Sequence, residues 1–248
     1  MNRSIRLNMF AAPSSFYALS GFLLPWLWLI AIGFAVAGLY IGFFVAPTDA
    51  TQGDAYRIIF VHVPAAWMSM LLYLVMAGWA VFGWAANARL ASMVARALAP
   101  TGAMFTFLAL WTGALWGRPT WGTYWVWDAR LTSTLILFFL YVGYMALAAS
   151  FDDKKKGDRA SALIALVGAI NVPIIYFSVK WWNTLHQGSS VRPGSSSMAT
   201  TMLTAMLIMT FAFWAYSIAA AMHRLRTGII EREGNAAWLR DAVKGWLR

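Results

Sequence analysis

The sequence predicts an all-α, polytopic integral membrane protein: a six-transmembrane-helix bundle with both termini cytoplasmic, with residues 1–248 forming a single transmembrane domain. Three observations carry this prediction. Six apolar runs each approach or exceed the roughly 20 residues a helix needs to cross the hydrocarbon core. The chain is 61% hydrophobic with 11% charged residues, against about 25% charged in a soluble domain. With both termini cytoplasmic, fourteen of the nineteen Lys and Arg fall on the cytoplasmic side and five on the other, the bias that orients membrane helices.

Residues 1–21 are short and polar-leaning, with Arg3 and Arg6. The first span, about 22–46, exceeds a signal-peptide core of about 7–15 residues and has no cleavage site after it. Pro47 ends it. Further spans run about 58–83, 94–115, 130–150, 160–179 and 198–222. These runs are continuous, without the alternation of a membrane barrel strand. Helices also satisfy their own backbone groups in lipid. Phe-Asp-Asp-Lys-Lys-Lys-Gly-Asp-Arg at 151–159 is a solvated hinge between spans four and five. The outward loops are 46–57, 116–129 and 180–197. The tail from His223 to Arg248 is cytoplasmic and mixed in charge, and its Trp238 and Trp246 suggest a surface-lying amphipathic end. No internal repeat or separate soluble domain is visible.

The net charge of +10 reflects orientation, because the basic residues are scattered among apolar spans and form no nucleic-acid-binding stripe. The chain has no Cys, which excludes disulfides, thiolate metal sites and thiol redox chemistry within it. No Gly-x-x-x-x-Gly-Lys stretch is present, so ATP hydrolysis would need another chain.

The outward loop 116–129 holds four Trp, at 116, 121, 125 and 127, together with Tyr124, and is ringed by Arg118, Asp128 and Arg130. An interfacial aromatic belt accounts for Trp26, Trp28, Trp79, Trp84, Trp181 and Trp182. It does not account for Trp-Gly-Thr-Tyr-Trp-Val-Trp-Asp, which is dense enough to form a flat apolar platform. Gly122 permits close approach to the backbone. Asp128 has two open readings, as a cap on the helix that follows or as a ligand contact.

Of three His, His62 and His186 lie on the platform's side of the membrane and His223 lies on the other. The plain reading of the pair is two interfacial imidazoles, each bonded to a neighbour; the functional one is a paired ligand site. A bare zinc ion wants three or four ligands, and no Cys or acidic cluster stands near to complete the set. Two His suffice for the axial positions of a haem iron, whose porphyrin supplies the other four ligands. Trp121, Trp125 and Trp127 offer it a flat wall. Arg57, Arg118 and Arg130 are outward-facing guanidinium groups suited to its propionates.

Three stretches carry a family resemblance: Tyr-Arg-Ile-Ile-Phe-Val-His-Val-Pro-Ala-Ala at 56–66, Trp-Gly-Thr-Tyr-Trp-Val-Trp-Asp-Ala-Arg-Leu-Thr-Ser at 121–133, and Trp-Trp-Asn-Thr-Leu-His-Gln-Gly-Ser at 181–189. Together they resemble the CcmC family of haem exporter subunits, the tryptophan-rich membrane proteins of cytochrome c maturation, over nearly the whole chain. The resemblance implies a non-enzymatic scaffold in the bacterial inner membrane that binds haem b at the periplasmic face. It implies presentation of that haem to a periplasmic haem chaperone, CcmE, and association with the ABC-type subunits CcmA and CcmB and a small membrane subunit, CcmD. Carried over, the axial ligands are His62 and His186, and the platform and docking face is Trp121, Gly122, Trp125, Trp127 and Asp128. Arg57 and Arg130 fall within the matched motifs as propionate partners, while Arg118 lies just outside them. The sequence departs from the pattern at Thr134, where an acidic residue is expected, and at Tyr124, where Trp is common; Tyr124 keeps a ring for stacking.

Two rival functions belong to other classes. A haem lyase acting directly on apocytochrome would be longer, with more His and more spans. A haem transporter proper would be expected to show charged residues or a broken helix at mid-membrane, and no such pathway is evident in the apolar runs.

Overall fold

A computed structural model describes residues 13–186, 191–192, 194–233 and 236–238. Helix α1 spans Pro13–Tyr40 and runs into a π-helical turn, Ile41–Val45. A 3-10 turn at Asp54–Ile58 leads into α2, Ile59–Ala85. Then come α3 (Arg89–Trp121), α4 (Ala129–Ala149), α5 (Lys154–Ala169) and α6 (Asn171–Trp181). A two-residue hairpin, β1 (Val191–Arg192) with β2 (Ser195–Ser196), precedes α7, Thr200–Glu233. Among the described residues, six helical segments are long and apolar enough to cross a bilayer, α5 and α6 together making one of them. The protein is a multi-pass, all-α membrane protein.

The packing follows from which helix faces carry small residues. Lipid tails are as apolar as leucine, so helices associate in a bilayer by close van der Waals contact. On α3, Ala91, Ala95, Ala99 and Ala103 recur every fourth residue and all are buried, and α3 packs extensively on α2. Tyr73 of α2 and Tyr141 of α4 meet edge to face at 4.8 Å, with Tyr141 Oη donating to Ser69 O at 2.8 Å. Helix α1 packs chiefly on α7. Much of the rest of its surface is exposed and apolar, including Phe22, Trp26 and Leu29, as a lipid-facing helix requires.

The structure moves several predicted boundaries. Helix α3 continues to Trp121, so the tryptophan-rich loop shrinks from 116–129 to 122–128. Gly117 and Pro119 look like breakers, yet both are accommodated within the last helical turns. The true stop is Gly122, whose left-handed conformation (φ 79°) donates its N–H to Arg118 O at 3.1 Å. The fifth span is interrupted at Ile170, against the expectation of an unbroken helix there. Pro173 is responsible: it lacks an N–H, and its ring crowds the carbonyl four residues back, at Ala169. Ile170 keeps right-handed helical angles (φ −65°, ψ −28°), so the break interrupts the hydrogen-bond ladder without an unwound segment. At the tail, α7 runs on to Glu233 and Trp238 packs edge to face on Tyr17 at 6.1 Å. Arg3, Arg6 and Trp246 lie outside the described residues.

Candidate functional site

His62 sits in the first turns of α2, just ahead of Pro64. Its Nδ1 is 3.0 Å from Thr112 Oγ1 of α3, and its ring meets Trp116 edge-on at 5.5 Å. The Thr112 hydroxyl lies 2.6 Å from Leu108 O, a contact between two oxygens that only a shared proton sustains. A hydroxyl has one proton, so Thr112 accepts from His62. Nδ1 therefore carries the imidazole hydrogen, and Nε2 is the bare nitrogen able to bind a metal. Gly113 makes room for the ring: a Cβ there would stand 3.0 Å from His62 Cε1.

Trp116 is held in turn by the loop after the first span. Its Nε1 donates to Gln52 Oε1 at 2.8 Å. Asp49 Oδ1 fixes that loop by accepting from Thr51 N at 2.9 Å and Gln52 N at 2.8 Å, a local Asx turn.

His186 comes from the loop after α6. Its ring tilts over Trp121 with centroids 5.0 Å apart, and its Nδ1 lies 3.5 Å from Asp128 Oδ2. That distance is in ion-pair range but too long for a hydrogen bond of good geometry. Asp128 also serves the backbone, where its Oδ1 accepts from Leu131 N at 2.7 Å and caps α4. The two readings of Asp128 are therefore not exclusive. One oxygen caps the helix and the other faces His186. Burial, chiefly, and the Arg130 charge lower the His186 pKa, while Asp128 opposes them.

His186 senses the Arg130 charge. Arg130 is half-buried at the start of α4 and makes no hydrogen bond through its side chain among the described residues. Thr134, at the departure from the family pattern, donates to Arg130 O at 2.8 Å.

The other two Arg are engaged elsewhere. Arg57 Nη1 donates to Gly42 O at 2.7 Å and Ala46 O at 3.1 Å, and its Nε bonds Asp54 Oδ1 at 3.0 Å. It thereby ties off carbonyls at the π turn that ends the first span. Arg118 donates to Gly122 O and lies over the Tyr124 ring at 5.7 Å, bracing the loop. Trp125 and Trp127 meet edge to face at 5.4 Å. Trp127 is 77% exposed, while Trp125 tucks in beneath it.

Among the described residues, three buried side-chain N or O atoms lack any hydrogen-bond partner: Trp125 Nε1, Asp128 Oδ2 and His186 Nδ1. All three belong to this site. Native structures leave few such groups, and each calls for an explanation. The sequence reading missed Thr112, Gly113 and Gln52. The available signal was Thr-Gly inside an apolar run one turn ahead of Trp116.

Comparison with known proteins identifies the family. The family model described as heme exporter protein C matches residues 6–240. Heme exporter protein C of Escherichia coli (strain K12) is 43% identical over 237 residues, covering 96% of each chain. That of Bradyrhizobium diazoefficiens is 48% identical over 237 residues, covering 94% of this chain and 89% of its own. A Marchantia polymorpha mitochondrial protein, named as a ccmC-like protein of cytochrome c biosynthesis, is 46% identical over 189 residues, 75% of this chain and 80% of its own. With a match of this length and identity, the chain belongs to the heme exporter protein C family.

Proposed function

We propose that this protein binds haem at the periplasmic face of the bacterial inner membrane and presents it to the periplasmic chaperone CcmE during c-type cytochrome biogenesis. Two imidazoles that meet Trp116 and Trp121 carry this reading, each with an oxygen facing its Nδ1: Thr112 Oγ1 at 3.0 Å from His62 and Asp128 Oδ2 at 3.5 Å from His186. The Thr112 contact leaves Nε2 of His62 bare, and we assign Nε2 of His186 the same role. Two neutral imidazoles are a complete axial set for a haem iron and an incomplete one for a bare zinc ion.

The surroundings fit the same group. Trp121 lies against His186 as a flat apolar wall. Arg130 is a half-buried cation suited to a propionate, and we place Arg57 and Arg118 behind it because their donors already serve backbone carbonyls. Ligation at Nε2 makes an Nδ1–H a better donor, which would draw His186 and Asp128 from 3.5 Å into a true hydrogen bond. Exposed Trp127, with Trp125 behind it, gives the docking chaperone a surface.

The chain's contribution is ligation, orientation and electrostatics; haem itself supplies the iron and the vinyl groups. We therefore read the protein as a delivery scaffold and not an enzyme, working with the ABC-type subunits CcmA and CcmB and with CcmD. The relatives' names, heme exporter and cytochrome c biosynthesis, support this assignment.

The test is genetic. Cells lacking this chain are expected to contain chaperone without covalent haem, and the intact chain restores haem-stained chaperone. Haem-loaded chaperone at normal levels without this protein contradicts the proposal.

A further inference from the structure

At the opposite end of the bundle lies a cavity of about 750 Å³. It is formed where the α2–α3 turn, the start of α5 and the last turns of α7 converge. Seven Lys and Arg line it against two carboxylates, Asp158 and Glu231. Asp158 is held between Arg96 and Arg232, with Arg232 Nη1 at 3.3 Å. Arg224 reaches into the bundle, donating to Thr101 Oγ1 at 2.6 Å. Lys154, Lys155 and Arg159 remain exposed on the first turns of α5, and Arg159 touches Asn87 Oδ1 at 3.3 Å. The end of α5 itself is already capped: Asp153 accepts from Lys155 N at 2.9 Å and Lys156 N at 3.4 Å. The attraction for an anion therefore comes from the side chains around the cavity. Asp158 is taken up by Arg96 and Arg232, so it does not answer the charge of Lys154, Lys155 and Arg159.

A second feature adjoins the first on the same helix. Val75, Gly78, Trp79 and Phe82 line an apolar groove of about 450 Å³ on the outer face of α2. These positions share one helix face. A Cβ added at Gly78 would meet nothing within 4 Å. The groove ends at Phe82, next to Gly83 and Trp84, which line the basic cavity. A charged cavity at the bundle end and an apolar groove whose lining ends one residue away on the same helix together match a molecule with an anionic head and an aliphatic tail.

We propose that this composite site binds one acidic phospholipid, with its phosphate among Lys154, Lys155 and Arg159 and an acyl chain along the Val75–Phe82 groove. Basic pockets between transmembrane helices on the cytoplasmic side are suited to such headgroups, and the Lys and Arg bias assigns this end to that side. The proposal is independent of the haem site.

The experiment is native mass spectrometry of the full chain released from detergent after exchange into phosphatidylglycerol, phosphatidylcholine, or detergent with inorganic phosphate. One retained phosphatidylglycerol per chain, in preference to phosphatidylcholine, is expected. Each basic residue at an anionic lipid surface contributes about a fivefold factor in affinity, so the K154Q/K155Q/R159Q variant is expected to lose about a hundredfold. Gly78→Leu fills the groove without touching the charge, and it too is expected to weaken lipid retention. Equal retention of phosphatidylcholine, or unchanged lipid binding in both variants, overturns the proposal. So does inorganic phosphate displacing the lipid at equal concentration, which would make the site one for a free anion.

Discussion

His62 and Thr112 lie 50 residues apart in sequence, yet His62 Nδ1 stands 3.0 Å from the Thr112 hydroxyl. The Thr112 proton goes to Leu108 O at 2.6 Å, and this sets the imidazole tautomer before any ligand arrives. A mid-helix threonine bonding back by one turn is ordinary. Here the back-bond turns the oxygen into an acceptor that aims Nε2 at the site.

Thr112→Val removes that acceptor at nearly constant volume. Loss of an outer-shell partner of a ligating His typically weakens metal binding by about 10–100-fold, and we expect haem affinity to fall within that range. Thr112→Ser keeps the hydroxyl and is expected to retain affinity near that of the parent. Titration of purified protein with haem, followed by absorbance, distinguishes the two.

Asp128 divides its oxygens between Leu131 N at 2.7 Å and His186 Nδ1 at 3.5 Å. Asparagine caps a helix as well as aspartate, so Asp128→Asn is expected to leave the thermal melt unchanged while weakening haem binding. Asp128→Ala loses the cap as well, which costs about 1 kcal/mol, and is expected to lower both. An Asn variant that binds haem normally would reduce Asp128 to a cap alone.

Protonation of His186 gives a further readout. Burial and Arg130 push its pKa below the ordinary 6.5, so it is neutral, and competent to bind iron, at pH 7. The unfolded chain takes up this proton at about 6.5 and the folded chain resists it. The stability of the outer loop is therefore full above 6.5 and falls as pH drops below 6.5 toward the folded pKa. NMR titration of the apo protein is expected to place the His186 midpoint below 6.5. Arg130→Gln removes the cation and is expected to move that midpoint upward; a midpoint that does not rise would show that Arg130 does not act on this ring.

Trp127 is exposed and Trp125 lies half-buried against it at 5.4 Å. Replacing Trp127 with Ala is expected to leave haem bound to the purified protein and to lower haem-loaded chaperone in cells severalfold. Normal loading would remove the loop's docking role.

Much of this was legible in the sequence, for identifiable reasons. The six spans are visible because lipid demands continuous apolar runs, and His62 stands out because few polar residues interrupt them. The helix through Gly117 and Pro119 was not visible, because both read as breakers when tertiary support is ignored. The interruption at Ile170 was hidden by the apolar run around it, although Pro173 was its local signal. The roles of Arg57 and Thr112 were the least legible. Type and sidedness suggest Arg57 as a propionate partner, but its donors close the π turn at Gly42 and Ala46. Thr112 looks like any span residue until its 50-residue contact with His62 is known.

The most direct test of the central claim is the absorption spectrum of the purified protein with haem, compared with those of His62→Ala and His186→Ala. The account predicts a six-coordinate, low-spin spectrum for the parent, with that signature and stable haem retention lost in each variant. Unchanged haem content and an unchanged spectrum in both variants would contradict it.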